Sequence, residues 1–217
     1  MIRTRLFSLL IITLGLCNMS AQAEWTGISV EIGESSSDLQ FETGIRTMHK
    51  DVVSFQIEEK TATNLRVGLS LGITNIRISN KLPPDNAQKF EGGYFGFYLR
   101  LPVQLGEHFS LESLYSYQYQ SAANSNDSLT SELKWHNNRL QIGLGVQFQS
   151  LRITPFIAYR DVSGDISDDT GTELFDTVDN ISHGISFDIF IEPGAYIRFQ
   201  LFDGDEEGGY LIFAREY

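Results

Sequence analysis

The sequence predicts an all-β fold: a single antiparallel up-and-down β-barrel of about ten strands that crosses a membrane. Three observations support this prediction. Apolar and polar residues alternate with a period of two in segment after segment, tight and long connections take turns along the chain, and the polar faces are rich in glycine. Because successive side chains of a strand point to opposite faces, each alternating segment has one apolar and one polar face.

Seven segments show the alternation most clearly: 65–74, 94–105, 109–120, 139–148, 151–160, 184–191 and 195–202. With a last strand at 208–217, counting back from the C-terminus reaches a ninth strand at 51–60. A closed barrel with an even number of strands needs one more before it. Both 25–33 and 39–46 qualify, so we predict ten strands, with eight or twelve as alternatives.

The connections between these strands alternate in length. Tight connections are predicted at 61–64, 106–108, 149–150 and 192–194. Longer polar connections are predicted at 79–90, 121–132, 162–180 and 203–208. Short turns at one end and long loops at the other are the layout of an outer-membrane barrel, with the turns on the periplasmic side.

The composition of the two faces separates a membrane barrel from a soluble one, which has the same alternation with its apolar residues inward. The polar faces carry many glycines, which weaken an exposed strand but make room inside a narrow barrel. The apolar faces are almost free of charge, and aromatic residues gather near strand ends, as at a membrane interface. These aromatic residues are Trp25, Phe95, Tyr115, Tyr117, Tyr119, Trp135, Phe148, Tyr159 and Tyr217. A soluble exported β-barrel or sandwich remains the alternative.

The N-terminus has the pattern of a secretory signal peptide. Arg3 and Arg5 precede an apolar run at 6–16, and small residues follow as far as Ala23. The run is about half the roughly 20 residues that a membrane-spanning helix needs. We therefore predict a signal peptide at 1–23 that is cleaved before Glu24, and one barrel domain at 24–217. The only cysteine, Cys17, would leave with the signal, so no disulfide is expected.

The net charge of the chain limits the classes of partner that we expect. The chain has a net charge of −12 and becomes more acidic when the signal is removed, which excludes nucleic acid as an expected partner. The predicted outer loops are acidic over 161–179 and again over 203–207. These acids are interpreted as solvated loop residues, with diffuse binding of Ca²⁺ or Mg²⁺, bridging to lipopolysaccharide phosphates, as the alternative. No histidine has metal-ligand spacing, so neither a metal nor another cofactor is predicted.

The last ten residues, at 208–217, end in an aromatic residue. Leu211, Phe213 and Tyr217 share one face of this last strand. In this the chain resembles the bacterial outer-membrane β-barrel superfamily, whose last strand ends in Phe, Tyr or Trp. The resemblance implies that these three residues form an assembly signal read by the barrel-assembly machinery, and that lipid and lipopolysaccharide surround the barrel. Arg215 departs from the family pattern, which usually has an apolar residue there.

The predicted lumen contains arginines and acids on the polar faces of the strands. One interpretation is a network of ion pairs that fills a narrow lumen, because buried charges need partners. The other is an anion-selective constriction, because rings of charge set selectivity in pores. The candidate residues are Arg66, Arg100, Arg139, Arg152, Arg160, Arg198, Glu58, Glu112 and Asp188.

A catalytic centre is not predicted. His183, Ser186 and Asp188 come nearest to a triad, but the spacing of three residues places His183 and Ser186 on opposite faces of a strand. The first functional hypothesis is a small porin-like or structural outer-membrane barrel. The second is a surface-binding or adhesion protein acting through its acidic loops, and the third is a hydrolase.

Overall fold

The computed structural model describes residues 26–80, 88–124 and 131–217, so the predicted signal peptide, its cleavage site and Trp25 lie outside the described residues. Among the described residues, no helix is long and apolar enough to cross a membrane. Eleven strands are described: β1 (Gly27–Phe41), β2 (Gly44–Lys60), β3 (Arg66–Asn80), β4 (Gln88–Gln104), β5 (Phe109–Asn124), β6 (Glu132–Phe148), β7 (Leu151–Asp168), β8 (Gly171–Thr177), β9 (Ile181–Glu192), β10 (Ala195–Gly204) and β11 (Glu206–Glu216).

Ten of these strands close a barrel. In this barrel each of β1 to β6 pairs antiparallel with the next strand. Strand β7 pairs with β9, β9 pairs with β10, and β10 pairs with β11. The last strand pairs with the first, from Gly27 opposite Glu216 to Ser37 opposite Glu206. The predicted ten-strand antiparallel barrel is therefore confirmed, and the strand that precedes β2 is Gly27–Phe41.

The eleventh strand, β8, closes a second and smaller circle. It folds back on the far end of β7, with Ser163 opposite Asp176, and its own end pairs with β1, with Phe41 opposite Phe175. Strands β1 to β7 therefore extend beyond the ten-strand barrel. Together with β8 they form a smaller closed circle, which we call the eight-strand ring. The opposite end of the barrel, called the turn end, carries the tight turns at 61–65, 105–108, 149–150 and 193–194.

The structure confirms the tight turns and corrects parts of the predicted long connections. Residues 81–87 and 125–130 of the predicted connections at 79–90 and 121–132 lie outside the described residues. Strand β3 runs to Asn80, β5 runs to Asn124, and β10 and β11 are joined through Asp205 alone. The segment 162–180 is mostly strand, because it contains the end of β7 and all of β8. In the described residues of 162–180 the loop prediction is wrong because the outward face is polar, and polarity alone does not distinguish a loop from a strand that extends into water.

Apolar side chains cover the outside of the ten-strand barrel. Leu71 is 62% exposed and Ile73 is 68% exposed, and both point away from the lumen. A belt of exposed apolar residues of this extent is foreign to a water-facing surface and typical of a lipid-facing one. Its other members include Val30, Ile32, Val53, Phe55, Leu69, Phe95, Leu140, Ile142, Leu144, Ile157, Ile189, Phe199 and Leu201.

The eight-strand ring has the opposite polarity, because its apolar residues point inward. Twelve buried residues form one apolar cluster, and every one of the eight strands contributes at least one of them. They are Leu39, Phe41, Met48, Ile76, Ile78, Phe90, Ala122, Leu133, Trp135, Val162, Ile166 and Phe175. Burial of this much apolar surface away from water stabilises the ring as it does a soluble protein. The cluster lies across the axis of the barrel, above its polar lumen.

Two glycines show why the polar faces are glycine-rich. A Cβ atom on Gly68 would overlap the ring of Tyr98, and one on Gly72 would overlap the ring of Tyr94. Both tyrosines are buried and point into the lumen from the neighbouring strand β4. The glycines therefore make room for aromatic rings that fill the barrel.

Candidate functional site

The nine lumen residues predicted from the sequence all make ion pairs, but in three separate clusters rather than one network. The first cluster, at the turn end, centres on Glu58. Arg66 Nη1 donates to Glu58 Oε1 at 2.7 Å, and Arg66 Nη2 donates to Glu216 Oε2 at 2.9 Å. Tyr98 donates to Glu58 Oε2 at 3.1 Å, and Arg100 Nη1 lies 3.8 Å from the same oxygen. Strands β2, β3, β4 and β11 are thereby tied together across the lumen.

The second cluster surrounds the fully buried carboxylate of Asp188. Arg198 Nη2 and Arg152 Nε both donate to Asp188 Oδ2 at 2.8 Å, and Arg198 Nε donates to Oδ1 at 2.5 Å. Glu112 completes the cluster, with Oε1 at 3.0 Å from Arg152 Nη1 and Oε2 at 3.6 Å from Arg198 Nη2. Two arginines therefore face two acids, and the buried charges are balanced.

The third cluster lies directly below the apolar core of the ring and centres on Glu206. Arg139 Nη1 donates to Glu206 Oε2 at 2.8 Å, and Lys50 Nζ lies 4.0 Å from Glu206 Oε1. Arg160 Nη1 donates to Asp205 Oδ2 at 3.0 Å, and its Nε lies 4.0 Å from Glu206 Oε2. This cluster holds the first residue of β11 against side chains from β2, β6 and β7.

Sequence reasoning missed four members of these clusters. The sequence pattern places Asp205 and Glu206 in an outer loop, begins a strand just after Lys50, and gives Glu216 only a position in the last strand. The parity of the strand could have found Lys50, because it stands two and four residues before Val52 and Ser54 on the inward face of β2. No comparable signal was available for Asp205, which lies in the turn between β10 and β11.

A cavity of about 100 Å³ lies in the lumen between the clusters. Its lining includes Tyr94, Asn137, Arg139 and Gln141, which each have a buried polar atom without a hydrogen-bond partner in the described chain. A water molecule occupies about 30 Å³ in the liquid and bridges such groups when they lie around a polar cavity. The lumen is thus polar and nearly filled by side chains.

The possible triad does not assemble. His183 is exposed on the outer face of β9, whereas Ser186 is buried on the inner face. Both oxygens of Asp188 are occupied by arginines. Among the described residues, no group of three His, Cys, Asp or Glu side chains is placed to hold a metal ion.

The residues of the predicted assembly signal lie at the end of the closing strand. Phe213 and Tyr217 are exposed on the outer face, and Leu211 is partly exposed on the same face. Tyr217 N donates to the carbonyl of Thr26 at 2.8 Å. Arg215, which stands where the family pattern has an apolar residue, forms an ion pair with Glu192 at 3.1 Å. Its guanidinium lies 5.5 Å from the centre of the Tyr217 ring.

No protein-family model matches the chain, and no curated protein matches it in sequence. Among solved structures, it is similar to the translocator domain of the autotransporter NalP from Neisseria meningitidis, with 15% identity, a TM-score of 0.43, and coverage of 99% of this chain and 95% of that chain. Neisserial surface protein A has 9% identity, a TM-score of 0.46, and coverage of 88% and 97%. The outer membrane protease OmpT from Escherichia coli has 7% identity, a TM-score of 0.45, and coverage of 91% and 96%. What the described residues themselves show is the closed antiparallel ten-strand barrel.

Proposed function

We propose that this chain is a bacterial outer-membrane protein with a closed lumen, whose barrel anchors the eight-strand ring outside the cell. The apolar core of the ring is the observation that carries the proposal. A core of twelve buried side chains lies across the barrel axis. An ion or a polar solute crossing it would lose its hydration without receiving compensating hydrogen bonds. This favours the structural or surface-binding hypothesis over the porin-like one.

The apolar belt supports the membrane part of the proposal. Both the belt and the closed sheet satisfy the requirements of lipid, since apolar side chains face outward and the backbone groups pair around the circle. The turn end would face the periplasm, and the ring would face the medium. Heat-modifiable migration on gels and recovery in the outer-membrane fraction are expected, whereas recovery in a soluble periplasmic extract would contradict this location.

The ion-pair clusters support the closed lumen. Their arginines and acids span the lumen at several heights, and each charge is held by a partner on another strand. Removing one member of a buried pair typically costs about 3–5 kcal/mol, because the remaining charge is left unpaired. The clusters are therefore expected to stay formed rather than to open for a passing anion.

Conductance across a planar lipid bilayer tests the closed lumen. The refolded mature protein is expected to give no steady open-channel current. A variant that removes the two large rings of the core, Phe90→Ala with Trp135→Ala, is expected to leak more than the native protein. The matched control, Phe97→Ala with Phe95→Ala, removes two rings from the outer surface and should leave the barrel silent. Steady currents from the native protein would restore the porin-like hypothesis.

The expected partners are outer-membrane lipid, lipopolysaccharide and the barrel-assembly machinery. Deleting Tyr217 should lower the amount of assembled protein in cells while refolding in detergent stays largely intact, because the aromatic terminus acts as a signal rather than as packing. Equal assembly of the deletion variant in cells would show that the terminal pattern is accidental.

A further inference from the structure

The third cluster, centred on Glu206, differs from the other two in its balance of charge. Each of the first two clusters has two cations and two acids. The third has three cations, Lys50, Arg139 and Arg160, against only two acids, Asp205 and Glu206. An uncompensated charge inside a protein is costly, so a third acid is expected near this cluster.

Glu31 is placed to be that acid. It lies on the inward face of β1 and lines the lumen cavity together with Lys50 and Arg139. Among the ion pairs of the described residues, none includes Glu31. Its Oε1 accepts a hydrogen bond from Ser54 at 3.5 Å, and its Oε2 accepts one from Gln56 at 3.4 Å. Both distances are longer than those of ordinary hydrogen bonds, so the carboxylate can accept further and shorter ones.

The other polar groups around the cavity include both donors and acceptors. Tyr94 and Asn137 are each 7% exposed, and the Tyr94 hydroxyl and Asn137 Oδ1 have no hydrogen-bond partner in the described chain. The same holds for Gln141 Oε1 and for Nε and Nη2 of Arg139. All four residues line the cavity. Buried groups of this kind cost free energy unless a ligand satisfies them.

The charges and the size of the cavity indicate the class of ligand. With Glu31 included, the third cluster has three cations and three acids, and the remaining charged residues of the lining, Arg100 and Arg198, belong to the first two clusters. Neither a cation nor an anion is therefore needed. A ligand that both donates and accepts hydrogen bonds fits the mixed lining. The cavity of about 100 Å³ has room for about three water molecules, at about 30 Å³ each.

We propose that the lumen cavity holds a cluster of about three bound water molecules, through which Glu31 is bridged to Arg139 and Lys50. Glu31 is then the third acid of the Glu206 cluster, although it does not contact the cations directly. The proposal rests on the closed lumen proposed above, and it adds that the closed lumen is hydrated.

A crystal structure of the refolded mature protein, at a resolution that shows ordered water, tests the bridge directly. Water molecules within hydrogen-bond distance of both Glu31 and Arg139 are expected. A dry cavity would overturn the proposal, and so would a Glu31 carboxylate in direct contact with Arg139 or Lys50.

Urea titration of the protein in lipid vesicles tests the role of the charge. Glu31→Gln keeps the shape of the side chain and leaves the cluster with one excess positive charge, so it should raise the equilibrium constant for unfolding about tenfold or more. The matched control is Glu34→Gln, which removes an exposed acid from the outward face of the same strand. It should change the constant by about twofold or less. Equal effects of the two variants would contradict the role of Glu31.

A second substitution at Lys50 separates charge balance from simple loss of a side chain. Glu31→Gln with Lys50→Met leaves two cations facing two acids, so the double variant should be more stable than Glu31→Gln alone. Losses that merely add would overturn the proposal. If heat-modifiable migration shows that Glu31→Gln does not fold, recovery of folding in the double variant is the expected result, and failure to recover contradicts it.

Conductance separates this proposal from the previous one. A silent barrel with a dry cavity contradicts only the water bridge, whereas steady currents from the native protein contradict the closed lumen.

Discussion

The two halves of this molecule use one sequence pattern with opposite meanings. In the ten-strand barrel, outward residues such as Val30 and Ile32 are apolar, and inward residues are polar or charged. In the eight-strand ring, inward residues such as Leu39 and Phe41 are apolar, and outward residues are polar. All four residues lie on β1. A period of two therefore indicates a strand whose two faces have different surroundings. It does not indicate which of the two faces meets water.

The interiors of the two halves are stabilised differently. The ring is held by apolar burial, which is non-directional and tolerates small changes in shape. The lumen of the barrel is held by ion pairs and hydrogen bonds, which require fixed geometry and suffer when one partner is lost. Substitutions in the ring and in the barrel are therefore expected to change stability by different amounts.

The largest effect is expected in the core of the ring. Trp135 is 1% exposed, and Trp135→Ala should lower the free energy of unfolding by about 3–5 kcal/mol, because it leaves a cavity. Leu140→Ala, on the outer face of the same strand, should cost far less, because lipid is as apolar as the side chain it replaces. Urea titration of the protein in lipid vesicles measures both. Equal losses would mean that the ring has no core of its own.

The second effect concerns the outer face of β3. Leu71→Arg should cost about 2–4 kcal/mol, because it places a charge in hydrocarbon. Ser79→Arg lies on the same face of the same strand, within the ring, and should cost little because the charge meets water. The same urea titration compares them. If the two variants lose the same stability, the boundary between the halves has been placed wrongly.

Labelling sharpens this comparison of faces. Leu71→Cys and Leu99→Cys should react with a lipid-phase probe and not with a water-soluble one. Arg100→Cys and Arg139→Cys should react less with the lipid-phase probe, because both positions face the lumen. A preference of the lipid-phase probe for 100 and 139 would reverse the assignment of the faces, and the ion-pair clusters would then need another explanation.

A smaller effect is expected at the seam where β8 meets β1. Arg46 Nη2 lies 2.9 Å from Glu173 Oε2, and both side chains are partly exposed. Glu173→Gln should lower global stability by only about 0–1 kcal/mol, as is usual near a surface. Hydrogen exchange should nevertheless speed up at the backbone of Phe175, because the seam opens locally. Unchanged exchange there would show that the apolar core alone holds the seam.

The smallest effect concerns the turn between β7 and β8. The hydroxyl and amide of Thr170 and the amide of Gly171 donate to the Asp168 carboxylate, and they hold its pKa below the ordinary value of 3.8. The stabilisation is complete above the ordinary pKa and is lost as the pH falls through the lowered one. Amide shifts of Thr170 and Gly171 should therefore move only in strong acid. Movement already near pH 6 would contradict this.

Much of the ten-strand barrel could be predicted, because its strands carry long runs with one apolar face. The arginines could be placed inward because parity alone decides the face of a strand residue. The ring could not be predicted from the sequence. Strand β8 pairs with β1 over only three residues of each strand, Leu39–Phe41 and Phe175–Thr177, and no local sequence pattern indicates so short a pairing. The ion pair of Glu206 with Lys50 could not be predicted either, because β11 and β2 come to lie on the two sides of β1 only when the barrel closes.

The two closures of the sheet differ in the length of chain that each one spans. Every strand of the ring lies between Gly27 and Thr177, whereas closure of the ten-strand barrel requires β11 at Glu206–Glu216. The shorter loop has the smaller entropic cost of closure. All strand pairings that close the ring therefore lie within residues 27–177, and they need neither β9 nor β10 nor β11.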